Sequence, residues 1–191
     1  MDKSRVVISI DDLCDDWWDM ESLFILKEKY PNFKATVFTI PFRVDTNDLS
    51  ILNDLGWIEL AVHGLKHESL DEMLMLPKEE ILDAFGKINF SIFARGFKAP
   101  GWRLDEKVIE CCNEFGMWVA LHGKHEQWKG LCRHGYYFTT NKNGHGCWFG
   151  HTHDVEDNYV RKALPMLLKR WSVDQEFAFV SEAIKKCLTS L

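Results

Sequence analysis

Apolar positions in this chain fall into short runs separated by helical patterns. Residues 5–10, Arg-Val-Val-Ile-Ser-Ile, predict a strand that the charged pair Asp11-Asp12 ends. Residues 17–30 predict a helix stopping before Pro31, and 34–40 a buried strand. A helix over Asn47–Leu55 with Gly56 as its stop leads to a third strand over 57–62. Pro77 suits a first helical position and opens a helix over 78–93. Phe97-Lys98-Ala99 reads as a short strand, and Asp105–Phe115 as a helix stopped by Gly116. Met117–Leu121, Tyr136–Thr139 and Cys147–Gly150 are further strands, the last running into His151. Val155–Lys169 is helical with an interruption near Pro165, and Phe177–Val180 reads as a last strand before a terminal helix. This alternation predicts a parallel α/β sheet or barrel, whose strand C-terminal ends carry the site.

The 191 residues suit one domain, 1–191, with a substantial core. A net charge of -6 with no basic patch argues against a nucleic-acid partner. No run approaches the ~20 apolar residues of a membrane span, and Met1 to Arg5 run into a strand with no apolar leader core. Cys14, Cys111, Cys112, Cys132, Cys147 and Cys187 form no Cys-x-x-Cys pair, so reduced thiols and a cytoplasmic location are expected.

Residue types that hold metals sit at the strand ends. Asp11-Asp12 follows the first strand, and His63-Gly64-Leu65-Lys66-His67 follows the third. One carboxylate and two imidazoles suit a divalent transition metal with positions left for water and substrate. His63 and His67, at i and i+4, would share one face of a helical turn. Neighbouring strand-end side chains point in different directions, so one carboxylate can bind metal while the other serves as base. The plain alternative is a polar turn or helix cap at Asp11-Asp12 and two unrelated loop histidines. Asp15, Asp16 and Asp19 read as a solvated start of the first helix.

Two later strand ends add to the set. Lys98-Ala99-Pro100-Gly101-Trp102-Arg103 makes a tight turn whose cation can keep a carboxylate ionised. Trp148-Phe149-Gly150-His151-Thr152-His153-Asp154 places a histidine where a general acid is needed, or a His-x-His ligand pair. His122, His125, His134 and His145 lie in 122–146, a Gly-, His- and Lys-rich stretch that reads as loops. Trp102 and Trp148, beside these residues, are candidates for stacking on a sugar face, and the other tryptophans read as core.

In order and type these motifs resemble the polysaccharide deacetylase (NodB-homology, carbohydrate esterase) superfamily. That family carries an Asp-Asp pair, then His-x-x-x-His, then an Arg-x-Pro-type strand end, then a late catalytic histidine. The resemblance implies an α/β fold, a distorted (β/α) barrel of about seven strands. It implies Asp11 as base, His151 or else His153 as acid, and Lys98 in place of the family arginine. Asp12, His63 and His67 would hold the metal, and Pro100, Trp102, Trp148 and His153 would meet substrate. Zinc is the default for this ligand set, with cobalt, nickel, iron or manganese as alternatives. Leu13 stands where the family usually has glycine, Gly64 where it has a hydroxyl residue, and no counterpart of its fourth motif is visible.

The implied activity is metal-dependent removal of an N-acetyl or other N-acyl group from an amino sugar or glycan. The alternatives are hydrolysis of a small non-sugar amide, as in allantoinase-like relatives, and a non-catalytic carbohydrate-binding protein. A non-haem iron oxygenase would also use one carboxylate and two histidines, but the α/β alternation argues against it.

Overall fold

In β1 (Val6–Leu13) the strand period of two sends Val6, Ile8 and Ile10 to one hydrophobic core and Val7 to another. The chain, a computed structural model describing residues 5–16, 18–138, 146–152 and 159–188, builds the rest of its fold around that strand. Elements follow in the order α1 (Glu21–Lys29), β2 (Ala35–Thr39), α2 (Thr46–Asp54), β3 (Ile58–His63), α3 (Glu72–Met75), α4 (Lys78–Gly86) and β4 (Gly96–Lys98). Next come α5 (Glu106–Glu114), β5 (Trp118–Leu121), β6 (Tyr136–Phe138), β7 (Gly146–His151), α6 (Val160–Leu167), β8 (Phe177–Ala178) and α7 (Val180–Leu188).

Among the described residues every strand pairing is parallel, in the order β6-β5-β4-β3-β2-β1-β7. β8 pairs with the start of β1, at Val6 and Val7, while β2 joins β1 further on, at Ser9 and Ile10. The curled sheet with flanking helices is a distorted (β/α) barrel. The outer core lies between sheet and helices, joining Ile8, Ile10 and Leu60 to Leu23, Leu26, Ile81, Phe85, Val108 and Leu167. The inner core fills the curl with Val7, Phe38, Ala61, Trp118, Ala120 and Tyr137, and α7 adds Val180, Ala183 and Ile184. α7 reaches both β1 and β6, which are five places apart in the sheet, so it plugs the curl.

Several elements depart from the sequence expectation. β1 runs on to Leu13 and carries Asp11 and Asp12 inside it, with a register shift between Ile10 and Leu13. The first helix begins only at Glu21. Asp19 is not solvated: it is 3% exposed and accepts from Ser22 Oγ and from Arg161 of α6 at 3.0 Å. The helix expected over 78–93 ends at Gly86, and α3 precedes Pro77. Within the stretch read as loops, 3-10 turns span Gly123–Leu131, with the buried His125 accepting from the His122 N–H. Thr139, His145, His153 and Asp154 lie outside the described residues. Among those described, no helix is long and apolar enough to cross a membrane, and Cys111, Cys112 and Cys132 are free thiols.

One half-buried acid ties α7 into the curl. Glu59 of β3 accepts from Thr36 Oγ1 at 2.7 Å and from the Ser181 hydroxyl, and Thr36 Oγ1 accepts from the Val180 N–H. Burial, partly offset by the bonds from Ser181 and Thr36, holds this carboxyl above the ordinary value of about 4.5. A carboxyl raised in the folded state favours folding below its unfolded value, and that contribution disappears as pH rises through the folded value. Wild-type melting temperature should therefore fall relative to a Glu59→Gln variant as pH rises from about 4.5 through the raised range. A wild-type minus variant difference that is flat with pH would refute this linkage.

Candidate metal and catalytic centre

The strand registers bring the polar strand ends to one level. Asp11 pairs with His151 across β1–β7, and His63 pairs with Lys98 across β3–β4. Strict strand alternation would send Asp11 and Asp12 to opposite faces. Here the register shift and a left-handed backbone at Asp12, φ 69°, bring both carboxylates to the neighbouring ends of β3 and β4, at His63 and Lys98.

Asp12 faces the histidines. Its Oδ1 lies 2.9 Å from His63 Nε2 and 3.3 Å from His67 Nε2. One ligand atom from each of Asp12, His63 and His67 lies within 4.8 Å of the other two. His63 Nδ1 lies 3.0 Å from the Lys98 carbonyl oxygen, which can only accept, so Nδ1 carries the proton. With Nδ1 held this way, Nε2 is the nitrogen turned to the Asp12 carboxylate, and in the neutral ring its lone pair can meet a cation shared with that carboxylate. A backbone carbonyl setting the tautomer is the usual outer support of a histidine ligand. The donor set therefore fits a divalent transition metal.

Charge around the imidazoles pulls in both directions. Burial lowers His63, but Asp12, with help from Asp11, outweighs it and holds the ring above the usual histidine value. His67 is lowered, by burial and by the neighbouring His63. Protonation and metal binding compete for the same nitrogen lone pairs.

Asp11 faces a different set. Its Oδ2 is ion-paired with Lys98 Nζ and lies 3.9 Å from His151 Nε2. The Asp11 carbonyl oxygen accepts from the Thr152 N–H at 3.1 Å and the Thr152 hydroxyl at 3.3 Å, which ties β1 to the end of β7. Lys98 is 1% exposed and sits in an aromatic cage, its Nζ 4.0 Å from the Trp102 ring centroid, 5.2 Å from Phe38 and 5.5 Å from Phe149. Burial lowers the Lys98 pKa, while the Asp11 and Asp12 carboxylates oppose that fall. The cage and the ion pair offset the cost of burying this amine.

The expected substrate-contacting residues are placed differently from one another. Pro100 is buried in a 3-10 turn, Pro100–Trp102, packed under Gly64. Trp102, half-buried with φ 61°, covers Lys98 and lies 5.6 Å from the His122 ring. Trp148 packs against the outer core. Phe149 shares the His151 side of β7, with ring centroids 6.2 Å apart. Phe149, Phe38 and Thr152 escaped the sequence reading, although two-residue alternation back from His151 points to Phe149.

Asp12, His67 and Trp102 are the non-glycine residues with positive φ among those described, and all three border this centre. Such conformations cost of order 1–3 kcal/mol each and persist only where the surroundings impose them.

No protein-family model matches the chain, and no curated protein sequence matches it. Solved structures do match. The Xyl-CE4 domain of a multidomain xylanase from the hindgut metagenome of Trinervitermes trinervoides superposes with a TM-score of 0.64 at 19% identity, covering 97% of this chain and 92% of that one. The peptidoglycan deacetylase PdaC from Bacillus subtilis gives 0.63 at 17% identity over 99% and 95% of the two chains. A family 4 acetyl xylan esterase from Clostridium thermocellum, in complex with a cobalt ion, gives 0.61 at 17% identity over 95% and 90%. The fold is thus that of the NodB-like polysaccharide deacetylases, the family that the sequence motifs resemble.

Proposed function

We propose that this chain is a metal-dependent deacetylase that hydrolyses an N-acetyl group on an amino sugar or glycan. The observation that carries the reading is a division of labour between consecutive carboxylates. Asp12 faces His63 and His67, whereas Asp11 faces Lys98 and His151. Neighbours of the same fold include a peptidoglycan deacetylase and an acetyl xylan esterase, which supports acyl hydrolysis on carbohydrate as the reaction class.

Asp12, His63 and His67 would hold the metal, with zinc as the first choice and cobalt, nickel, iron or manganese as alternatives. When bound, such a metal acidifies water and polarises an acyl carbonyl. Asp11 takes the proton of the attacking water. Lys98, ion-paired with Asp11, holds that carboxylate in place. His151 delivers a proton to the departing amine, which is a poor leaving group without it. Trp102 and Phe149 cover Lys98 and exclude water from the ion pair. An ester substrate would need the same base but depend less on His151, because an alkoxide leaves more readily than an amide anion.

Acetate release from N-acetylglucosamine oligomers, assayed with chelator and after metal readdition, tests the reading. Chelator should abolish release and readdition restore it. Release from an O-acetylated xylan alone would move the substrate class to esters. Hydrolysis of small amides alone would move it away from sugars. No hydrolysis of any of these by metal-loaded protein would overturn catalysis and leave a binding role.

A further inference from the structure

We propose that Glu72 is a positioning residue for the metal centre, holding the backbone that presents His67. The proposal rests on the metal-site reading above. Glu72 opens α3, five residues beyond His67, and its carboxylate turns back onto the preceding loop. Oε2 accepts from the Leu65 N–H at 3.0 Å and the His67 N–H at 3.2 Å, and Oε1 accepts from the Lys66 N–H at 2.8 Å. Three consecutive backbone donors thus converge on one anion, forming a nest. One of them belongs to His67 itself, whose φ of 54° is a conformation that a side-chain-bearing residue keeps only under external constraint.

The geometry around Gly64 shows that carboxylate and loop are packed as a unit. Gly64 has φ 59°, and a Cβ there would come within 2.9 Å of Glu72 Oε2 and 2.6 Å of Pro100 Cγ. The loop start is held separately: the Gly64 N–H and His63 Nδ1 both donate to the Lys98 carbonyl oxygen. His63 is therefore anchored by β4 and His67 by Glu72. α3 is fixed in turn by the fully buried Met73 beside it. Only a side chain with two acceptor oxygens can serve three donors here, so glutamine is an incomplete substitute.

The test is titration with Co2+ of wild type, Glu72→Ala, Glu72→Gln, Glu68→Ala and His63→Ala, read by calorimetry and by the cobalt d–d absorption band. Melting of each metal-free protein provides the structural control. Glu72→Ala should lose about 10- to 100-fold in Co2+ affinity, the usual effect of removing outer support from a metal ligand, with a shifted band. Glu72→Gln should lose less, Glu68→Ala nothing, and His63→Ala should lose binding. Wild-type affinity and band in folded Glu72→Gln and Glu72→Ala, with His63→Ala devoid of metal, would overturn the positioning role alone. If Glu72→Ala fails to fold, unchanged binding by folded Glu72→Gln overturns it. Absence of Co2+ binding by wild type, or its retention in His63→Ala, would overturn the metal site and the proposal with it.

Discussion

Replacing Asp11 with asparagine should abolish detectable turnover while leaving metal stoichiometry at the wild-type level. The side chain keeps its shape but loses the basicity that the proposed proton transfer needs, which is worth about 10²- to 10⁴-fold in general base catalysis. Metal should stay because Asp12, not Asp11, approaches His63 and His67. The substitution also leaves the buried Lys98 without its anionic partner, which favours the neutral amine. Elemental analysis beside kcat separates these effects. Full turnover in Asp11→Asn would refute the base assignment, and loss of metal would show that Asp11 belongs to the ligand set.

The second large effect is expected from His63→Ala, which should lose metal and turnover together. His63 is 3% exposed, its Nε2 faces Asp12, and its Nδ1 proton is held by the Lys98 carbonyl oxygen, so its removal takes one of the three ligand atoms grouped there. A ligand that binds only the folded state stabilises it by about 2.7 kcal/mol at 100 times its Kd. Added metal should therefore raise the melting temperature of wild type and leave that of His63→Ala unchanged. An equal rise in both proteins would place the metal elsewhere.

Much of this architecture was legible because the longer strands are mainly apolar runs that end in or next to a polar group. Val6 to Ile10, Ala35 to Thr39 and Ile58 to Val62 all read as strands, and all lie in the parallel sheet. Less legible were the features that depend on distant partners. Asp19 reads as a solvated helix start because its partner, Arg161, is 142 residues away. Phe149 reads as an ordinary strand residue until the curl of the sheet sets it beside Lys98.

By itself the sequence determined the types and order of most elements, and the strand ends that carry the candidate metal-binding and proton-transferring groups. These follow from local periodicity and from side-chain chemistry, which are properties of short segments. Only the tertiary structure decided that Asp11 and Asp12 divide between two partner sets, that Lys98 is buried in an aromatic cage, and that Glu72 grips the His67 loop. Left-handed backbone at Asp12 and His67 is unfavourable in isolation, so local preference points away from it. It persists because strand register, the Lys98 carbonyl oxygen and the Glu72 carboxylate hold it from outside the segment.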